Sequence, residues 1–391
     1  MRDREIDKNS LDLLYITGCS IRGLAPDWNR LVCIDWEQLW ERAGKQKMRA
    51  IIGVWLEGLS EAEKQCVPEQ IRQNFQEHRI NNFRRRVLFD LERNALFQWM
   101  EEQNIWYLPL KGIVIQDLYP AFEMREMSDN DILFNPEKRK EVRDYFVNRG
   151  YSFSLEHNVE AFYKEPVFNF EMHRSLFGTN TIPEFEQFFE DLPKRMIRVD
   201  ESRSEYRMSE EDFYIYFLTH VFKHYNSAGC GLRFLVDGYL IYQAKSASFD
   251  MSYLQNAMKK TKLVEFEMAI RGAWTRFCQD PSLFRIDDLS DAEYMILKNT
   301  VNEPVYGSSA SFARNFFFRE TGTDLNKKDL GKYVMKRLFP SWSYMKASYP
   351  IVAKVPALLA AMYLVRPLHR LFSRGKEAVR EIETIRHLEE R

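Results

Sequence analysis

Trp106-Tyr107-Leu108-Pro109-Leu110-Lys111-Gly112, followed by Ser128-Asp129-Asn130-Asp131-Ile132-Leu133-Phe134, carries the most legible chemistry of this chain. The second segment is an apolar run ending in the turn residues Asn135-Pro136, which predicts a β-strand. Successive strand side chains alternate between faces, so Asp129 and Asp131 point the same way. Two adjacent carboxylates repel, and burying both without a cation would force a proton onto one of them. A divalent metal removes that cost: hard carboxylate oxygens suit Mg²⁺, which completes its shell with waters and substrate phosphates. Asp-x-Asp on a strand beside a Lys-Gly turn thus points to phosphoryl or nucleotidyl transfer, although the pair alone also fits a polar strand end.

A third carboxylate strengthens the case. Val167-Phe168-Asn169-Phe170-Glu171-Met172-His173 alternates, so Phe168, Phe170 and Met172 face a core while Asn169, Glu171 and His173 face the other side. Glu171 can then join the aspartates across neighbouring strands. Lys111 and Gly112 lie at a strand-to-helix turn, where backbone N–H groups and the helix dipole favour phosphate. Gly112 lets the backbone approach closely, and Lys111 is either a point charge for phosphate or an exposed lysine beside a turn.

These residues resemble the nucleotidyltransferases of the DNA polymerase β superfamily, and more closely the bacterial branch described as uncharacterised nucleotidyltransferases. The resemblance rests on Leu110-Lys111-Gly112, Leu118-Tyr119-Pro120, Arg125, the Ser128 to Phe134 segment and Glu171-Met172-His173-Arg174. It continues through His220-Val221-Phe222-Lys223-His224 and Arg233-Phe234-Leu235-Val236-Asp237. Two departures stand out: Lys111-Gly112 where the superfamily has Gly-Gly or Gly-Ser, and Asn130 where an apolar residue separates the aspartates.

The resemblance implies an α+β fold, a small mixed sheet with helices flanked by N-terminal and C-terminal helical regions. It implies that Asp129 and Asp131 hold Mg²⁺ (or Mn²⁺), with Glu171 ligating a second ion or taking a proton. A nucleoside monophosphate would pass from a nucleoside triphosphate to a hydroxyl-bearing acceptor, which no motif specifies, with release of pyrophosphate. Lys111, Gly112, Arg125 and Ser128 would surround the nucleotide; the Arg125 fork either clamps triphosphate oxygens or pairs at the surface with Glu123 or Glu126. His220, His224, Arg233 and Asp237 would line the cleft from the helical region. His173 would orient the carboxylates, contact the acceptor, or serve structure alone. Two other readings stay open: a nucleotide-binding or scaffolding protein without turnover, and a hydrolase using two carboxylates as acid and base.

The rest of the chain sets the frame. With 56 basic and 57 acidic residues among 391, net charge gives no global case for nucleic-acid binding, so any polyanion site is a local patch. Five scattered cysteines form no Cys-x-x-Cys pair, and the charged N-terminus lacks the apolar core of a signal peptide, so a reducing cytoplasm is expected. Composition and periodicity, together with the resemblance, divide the chain into an N-terminal helical region (1–104), what the resemblance implies is a nucleotidyltransferase-like core (105–204) and a helical domain completing the cleft (205–300), and a loop with a helical tail (301–391).

In the N-terminal region Trp36, Leu39, Trp40 and Ala43 have helix spacing. A helix over 80–103 is predicted to bury Val87, Leu88, Leu91, Ala95 and Trp99, with Arg79, Arg84, Arg85 and Arg86 on its solvated face. The core is predicted as strand 105–110, helix 112–118, strand 129–134, helix 136–149 ended by Gly150, and strands 151–155 and 166–173, with helices on one face of the sheet. Ser209-Glu210-Glu211-Asp212 reads as a capping box. His220 and His224 share a helix face but lack a third zinc ligand at recognisable spacing. Residues 350–365 are apolar, interrupted by Lys354 and Pro356, and too short for a bilayer, which needs ~20 apolar residues. With the basic residues to Lys376, this stretch either packs on the body or makes peripheral membrane contact through 350–376.

Overall fold

The computed structural model describes residues 6–302 apart from His157, residues 179–181 and Ala228, together with Phe339 and Met362. The Gly-, Ser- and Thr-rich stretch 304–324, whose composition predicts a loop, the 350–376 stretch (Met362 aside) and the charged stretch 377–391, read from sequence as an exposed helix, lie outside the described residues. Among the described residues no helix is long and apolar enough to cross a membrane.

The main helices before the sheet are Lys8–Arg22, Trp36–Gln46, Arg49–Glu57 and Glu69–Glu102. Asp7 caps the first by accepting from Ser10 N at 2.9 Å, and Gly23 ends it at φ 62°. Trp36, Leu39 and Ala43 are buried, as their spacing predicts. Glu69–Glu102 runs 34 residues, and its buried face is not the expected one. Leu88 and Leu91 are exposed, while Ile71, Phe75, Asn82, Arg86, Phe89, Arg93, Leu96 and Met100 face inward. The true face is disguised by three polar residues that find partners elsewhere. Asn82 donates to Glu123 O at 2.6 Å, Arg86 to Asp117 at 2.7 Å and Arg93 to Asn130 Oδ1 at 3.1 Å. Arg86 therefore does not belong to a solvated basic face.

The sheet contains β1 (Tyr107–Pro109), β2 (Asn130–Phe134), β3 (Ser152–Glu156), β4 (Val159–Lys164) and β5 (Phe168–His173) in the order β1-β2-β5-β4-β3. β2 and β5 are parallel and the other pairs antiparallel. β4 was not foreseen, because Glu160, buried against Arg143, and Lys164 obscure its alternation. The helix after β1 is one α turn, Gly112–Ile115, followed by a 3₁₀ turn; that after β2 is α over Arg139–Asn148 and ends at Gly150 with φ 82°.

Helices cover both sheet faces, not one. Ile132, Phe134, Phe162, Phe170 and Met172 pack against Phe89, Leu96, Val142 and Phe146 in one core. Leu108, Leu110 and Leu133 join a larger core on the opposite side. That larger core unites the N-terminal helices with Glu210–Tyr225, Leu232–Lys245, Val264–Gln279 and Asp291–Asn302. Gln46 ties the two helical groups directly: its amide donates to Thr300 O at 3.1 Å and accepts from Leu232 N at 2.6 Å. The capping box at Ser209 is half formed. Ser209 Oγ accepts from Asp212 N at 3.1 Å, but Asp212 accepts from Tyr253 Oη at 2.6 Å rather than reaching back.

Candidate active site

Parallel pairing of β2 and β5 sets Asp131 opposite Glu171 and Leu133 opposite His173. Their sheet face looks into a cavity of about 740 Å³ also bordered by the Glu210–Tyr225 and Leu232–Lys245 helices. Lys111, Gly112, Arg125, Ser128, Asp129, Asp131, Glu171, His173, His220, His224, Arg233 and Asp237 all line it. Residues spread over 127 positions of sequence are thereby gathered into one space.

At its centre Asp131 Oδ1 accepts from Lys111 Nζ at 2.7 Å and lies 2.8 Å from His173 Nε2. His173 Nε2 is 3.8 Å from Glu171 Oε2. Asp131, Glu171 and His173 each present a ligand atom within 4.8 Å of the others. The tightest group is thus two carboxylates and an imidazole, not the three carboxylates expected from sequence. Asp129 lines the same cavity but precedes the strand, which begins at Asn130. Asn130 points to the opposite face, where Arg93 takes its Oδ1, so a polar residue is accommodated between the aspartates. The backbone carbonyl of Ser128 accepts from Arg85 at 3.5 Å and Asn169 at 3.4 Å, which anchors the approach to β2.

The carboxylates are driven apart in acidity. Burial pushes Asp131 up, but Lys111 and the His173 hydrogen bond outweigh it and hold the carboxyl far below its usual range. Glu171 is pushed up to about 8 by burial and then by the charges of Asp131 and Asp129. Asp129 is raised by burial and by Asp131. Burial holds His173 below its ordinary value against the pull of Asp131. The site is short of positive charge: Lys111, with Arg233 and Arg125 at Asp129, offsets only part of what raises Asp129 and Glu171.

Two nucleotide-contact expectations meet different geometry. Lys111 has φ 43°, on the left-handed side where a non-glycine costs on the order of 1–3 kcal/mol, offset by its contact with Asp131. The helix beginning at Gly112 is a single turn and offers little dipole to a phosphate. A Cβ on Gly112 would lie 2.6 Å from Arg125 Nη1 and 2.8 Å from Met127 Cε, so the missing side chain makes room for Arg125 and Met127. The Arg125 fork is already engaged. Its Nε and Nη2 donate to both oxygens of Asp237 at 2.9 and 2.8 Å, and Tyr119 Oη donates to the same carboxylate at 2.7 Å. Glu123 and Glu126 pair instead with Arg79 and His78. Arg233 Nη1 donates to Glu126 O at 3.1 Å. Arg125, Arg233 and Asp237 thus brace the cavity floor.

His220 and His224 sit edge to face with centroids 4.5 Å apart, and His224 stacks on Phe234. Burial, with the nearby Lys111 charge, holds both rings well below the ordinary imidazole range, His224 to about 4. Three further residues had no role assigned from the sequence: Tyr216, and Tyr119 and Lys223, which entered only as part of the family resemblance. Tyr216, His220 and Lys223 follow one another at helical spacing along one cavity-lining face, and polar residues interrupting an apolar stripe were the available signal. Among the described residues Lys223 makes no hydrogen bond or ion pair, unlike Lys111, Arg125 and Arg233. Leu176, Phe177, Ile182, Phe185, Phe213 and Phe217 give the cavity an apolar wall.

A family model described as an uncharacterised nucleotidyltransferase matches residues 33–275. No curated protein and no solved structure matches the chain.

Proposed function

Because the chain belongs to the uncharacterised nucleotidyltransferase family, we propose that it moves a nucleoside monophosphate from a nucleoside triphosphate such as ATP to a hydroxyl-bearing acceptor, releasing pyrophosphate. The observation that carries this is the register of β2 and β5, which holds Asp131 and Glu171 side by side at the head of a large cavity. The donor set fits a divalent cation: positive charge there would relieve the repulsion that raises Glu171 to about 8. Asp129, Asp131 and Glu171 would hold Mg²⁺ or Mn²⁺. When bound, the ion would neutralise phosphate charge and lower the pKa of the attacking hydroxyl.

The chain's own residues supply the rest. Lys111 keeps Asp131 ionised and brings a fixed positive charge to the reacting centre. Lys223, unpartnered among the described residues, contributes a second positive charge for the triphosphate. The Arg125–Asp237–Tyr119 unit keeps the floor rigid, and the aromatic wall excludes water from the reacting end. Positioning and charge neutralisation then supply most of the rate. All five cysteines are free, which suits the reducing cytoplasm we propose for the chain.

The test is transfer of label from α-labelled nucleoside triphosphates, with Mg²⁺ or Mn²⁺ and a cell extract as the acceptor source. Pyrophosphate release that disappears in Asp129→Ala and Asp131→Ala supports the proposal, while unchanged activity removes these residues from the mechanism. One observation favours the alternative of a nucleotide-binding protein without turnover: Lys111 and His173 already engage the same oxygen of Asp131. Calorimetric nucleotide binding without turnover across acceptors would select it.

A further inference from the structure

We propose that His173 is a direct metal ligand, so that one ion is held by Asp131, Glu171 and the imidazole, and the site prefers Mn²⁺ to Mg²⁺. The proposal rests on the metal-dependent reading above and goes beyond it in naming the ligand and the ion.

The placement comes from regular strand geometry. His173 lies two residues after Glu171 on the same face of β5, and the register with β2 brings Asp131 against both. Its Nε2 stands 2.8 Å from Asp131 Oδ1 and 3.8 Å from Glu171 Oε2. Ligands held at about 2.0–2.2 Å from one ion place neighbouring donor atoms roughly 3 Å apart, so these separations need little adjustment. The ring is 5% exposed, and among the described residues its polar contacts run through Nε2 alone, toward the carboxylates. Strand register therefore holds the imidazole, and no loop has to close to deliver it.

The donor chemistry then selects the ion. Mg²⁺ demands hard oxygen ligands and dehydrates reluctantly, whereas an imidazole nitrogen suits the divalent transition metals. Two carboxylates and the phosphate oxygens of a nucleotide keep the remaining donors hard. Of Mg²⁺ and Mn²⁺, the two ions of the metal-dependent reading, Mn²⁺ is the one that takes a nitrogen donor beside hard oxygens more readily. The competing role is an orienting histidine, hydrogen-bonded to Asp131 but never on the metal.

Pulsed electron paramagnetic resonance separates the two roles without an activity assay. Mn²⁺ is titrated into the full chain, free Mn²⁺ is followed by its resonance signal, and ¹⁴N coupling to the bound ion is measured with Mg²⁺ as competitor. Wild-type protein is expected to show ¹⁴N coupling that His173→Gln abolishes and His220→Gln keeps. His173→Gln should lose Mn²⁺ affinity by at least the roughly 10–100-fold typical of losing even an outer-shell partner, with little change for Mg²⁺. Wild-type protein carrying ¹⁵N-histidine should show ¹⁵N coupling in place of ¹⁴N, which tests nitrogen ligation even where His173→Gln fails to fold. Mn²⁺ binding that Asp131→Asn abolishes, but without nitrogen coupling or with coupling that survives His173→Gln, overturns this inference and leaves the metal-dependent reading standing. Absence of both Mn²⁺ and Mg²⁺ binding overturns the two together.

Discussion

Replacing Asp237 with alanine strands a charged guanidinium inside the protein. The side chains of Arg125 and Asp237 are 6% and 2% exposed, and two hydrogen bonds of 2.9 and 2.8 Å join them. Removing one partner of such a pair costs about 3–5 kcal/mol, because the remaining charge is left without compensation. Tyr119 also loses its 2.7 Å acceptor, worth roughly another 1 kcal/mol. With a urea slope near the upper end of the usual range, about 3 kcal/mol per molar, the unfolding midpoint should fall by about 1–2 M. The double variant Arg125→Met/Asp237→Leu removes both charges of the pair and should recover most of that loss. The assay is urea unfolding of wild type, both single variants and the double, read as a double-mutant cycle. A midpoint shift below about 0.3 M in Asp237→Ala, or a double variant no more stable than either single one, refutes the assignment of this pair as the brace of the cavity floor.

Glu171 makes stability depend on pH. Its carboxyl ionises near 4.5 in the unfolded chain and near 8 in the folded one, so its stabilising contribution is fully present below 4.5 and gone above about 8. Depressed His173 works oppositely below its ordinary 6.5, but Glu171→Gln retains it, so metal-free wild type should lose more stability than Glu171→Gln as pH rises from 5 to 8. Chemical denaturation at several pH values checks this; parallel curves would contradict it. Gly112→Ala drives a Cβ into Arg125 and Met127 and should cost about 1–3 kcal/mol, read by thermal unfolding, whereas an unchanged midpoint would show that the pocket yields freely. Lys223→Ala should raise the KM for nucleoside triphosphate with unfolding unchanged, since that ammonium makes no hydrogen bond or ion pair among the described residues; steady-state kinetics with an unaltered KM would exclude it from the triphosphate site.

What the sequence revealed and what it concealed follow from the range of the interactions. The alternation over 167–173 is a local pattern that puts Glu171 and His173 on one strand face, and Asp131 shares it through the register, whereas Asp129 reaches the cavity from just before β2. The parallel pairing of β2 with β5 turns that pattern into a site, but both strands had to be found first. The inward face of Glu69–Glu102 was hidden because Arg86 and Arg93 are buried with partners at Asp117 and Asn130, 31 and 37 positions away. Arg125 presents the same difficulty: its partner Asp237 is 112 positions away, so nearby Glu123 and Glu126 looked like the natural choices. Lys223 went unassigned because its place in the cavity without a hydrogen-bond or ion-pair partner among the described residues is visible only once the cavity is assembled.

The most direct measurement is a crystal structure of the full chain with Mn²⁺ and a nonhydrolysable nucleoside triphosphate, using anomalous scattering to locate the metal. The account predicts a Mn²⁺ peak bonded to Asp131 and Glu171, with the triphosphate in the cavity and Lys111 no longer the principal partner of Asp131. Nucleotide bound elsewhere, or Lys111 still paired with Asp131 and no metal peak beside it, would contradict it.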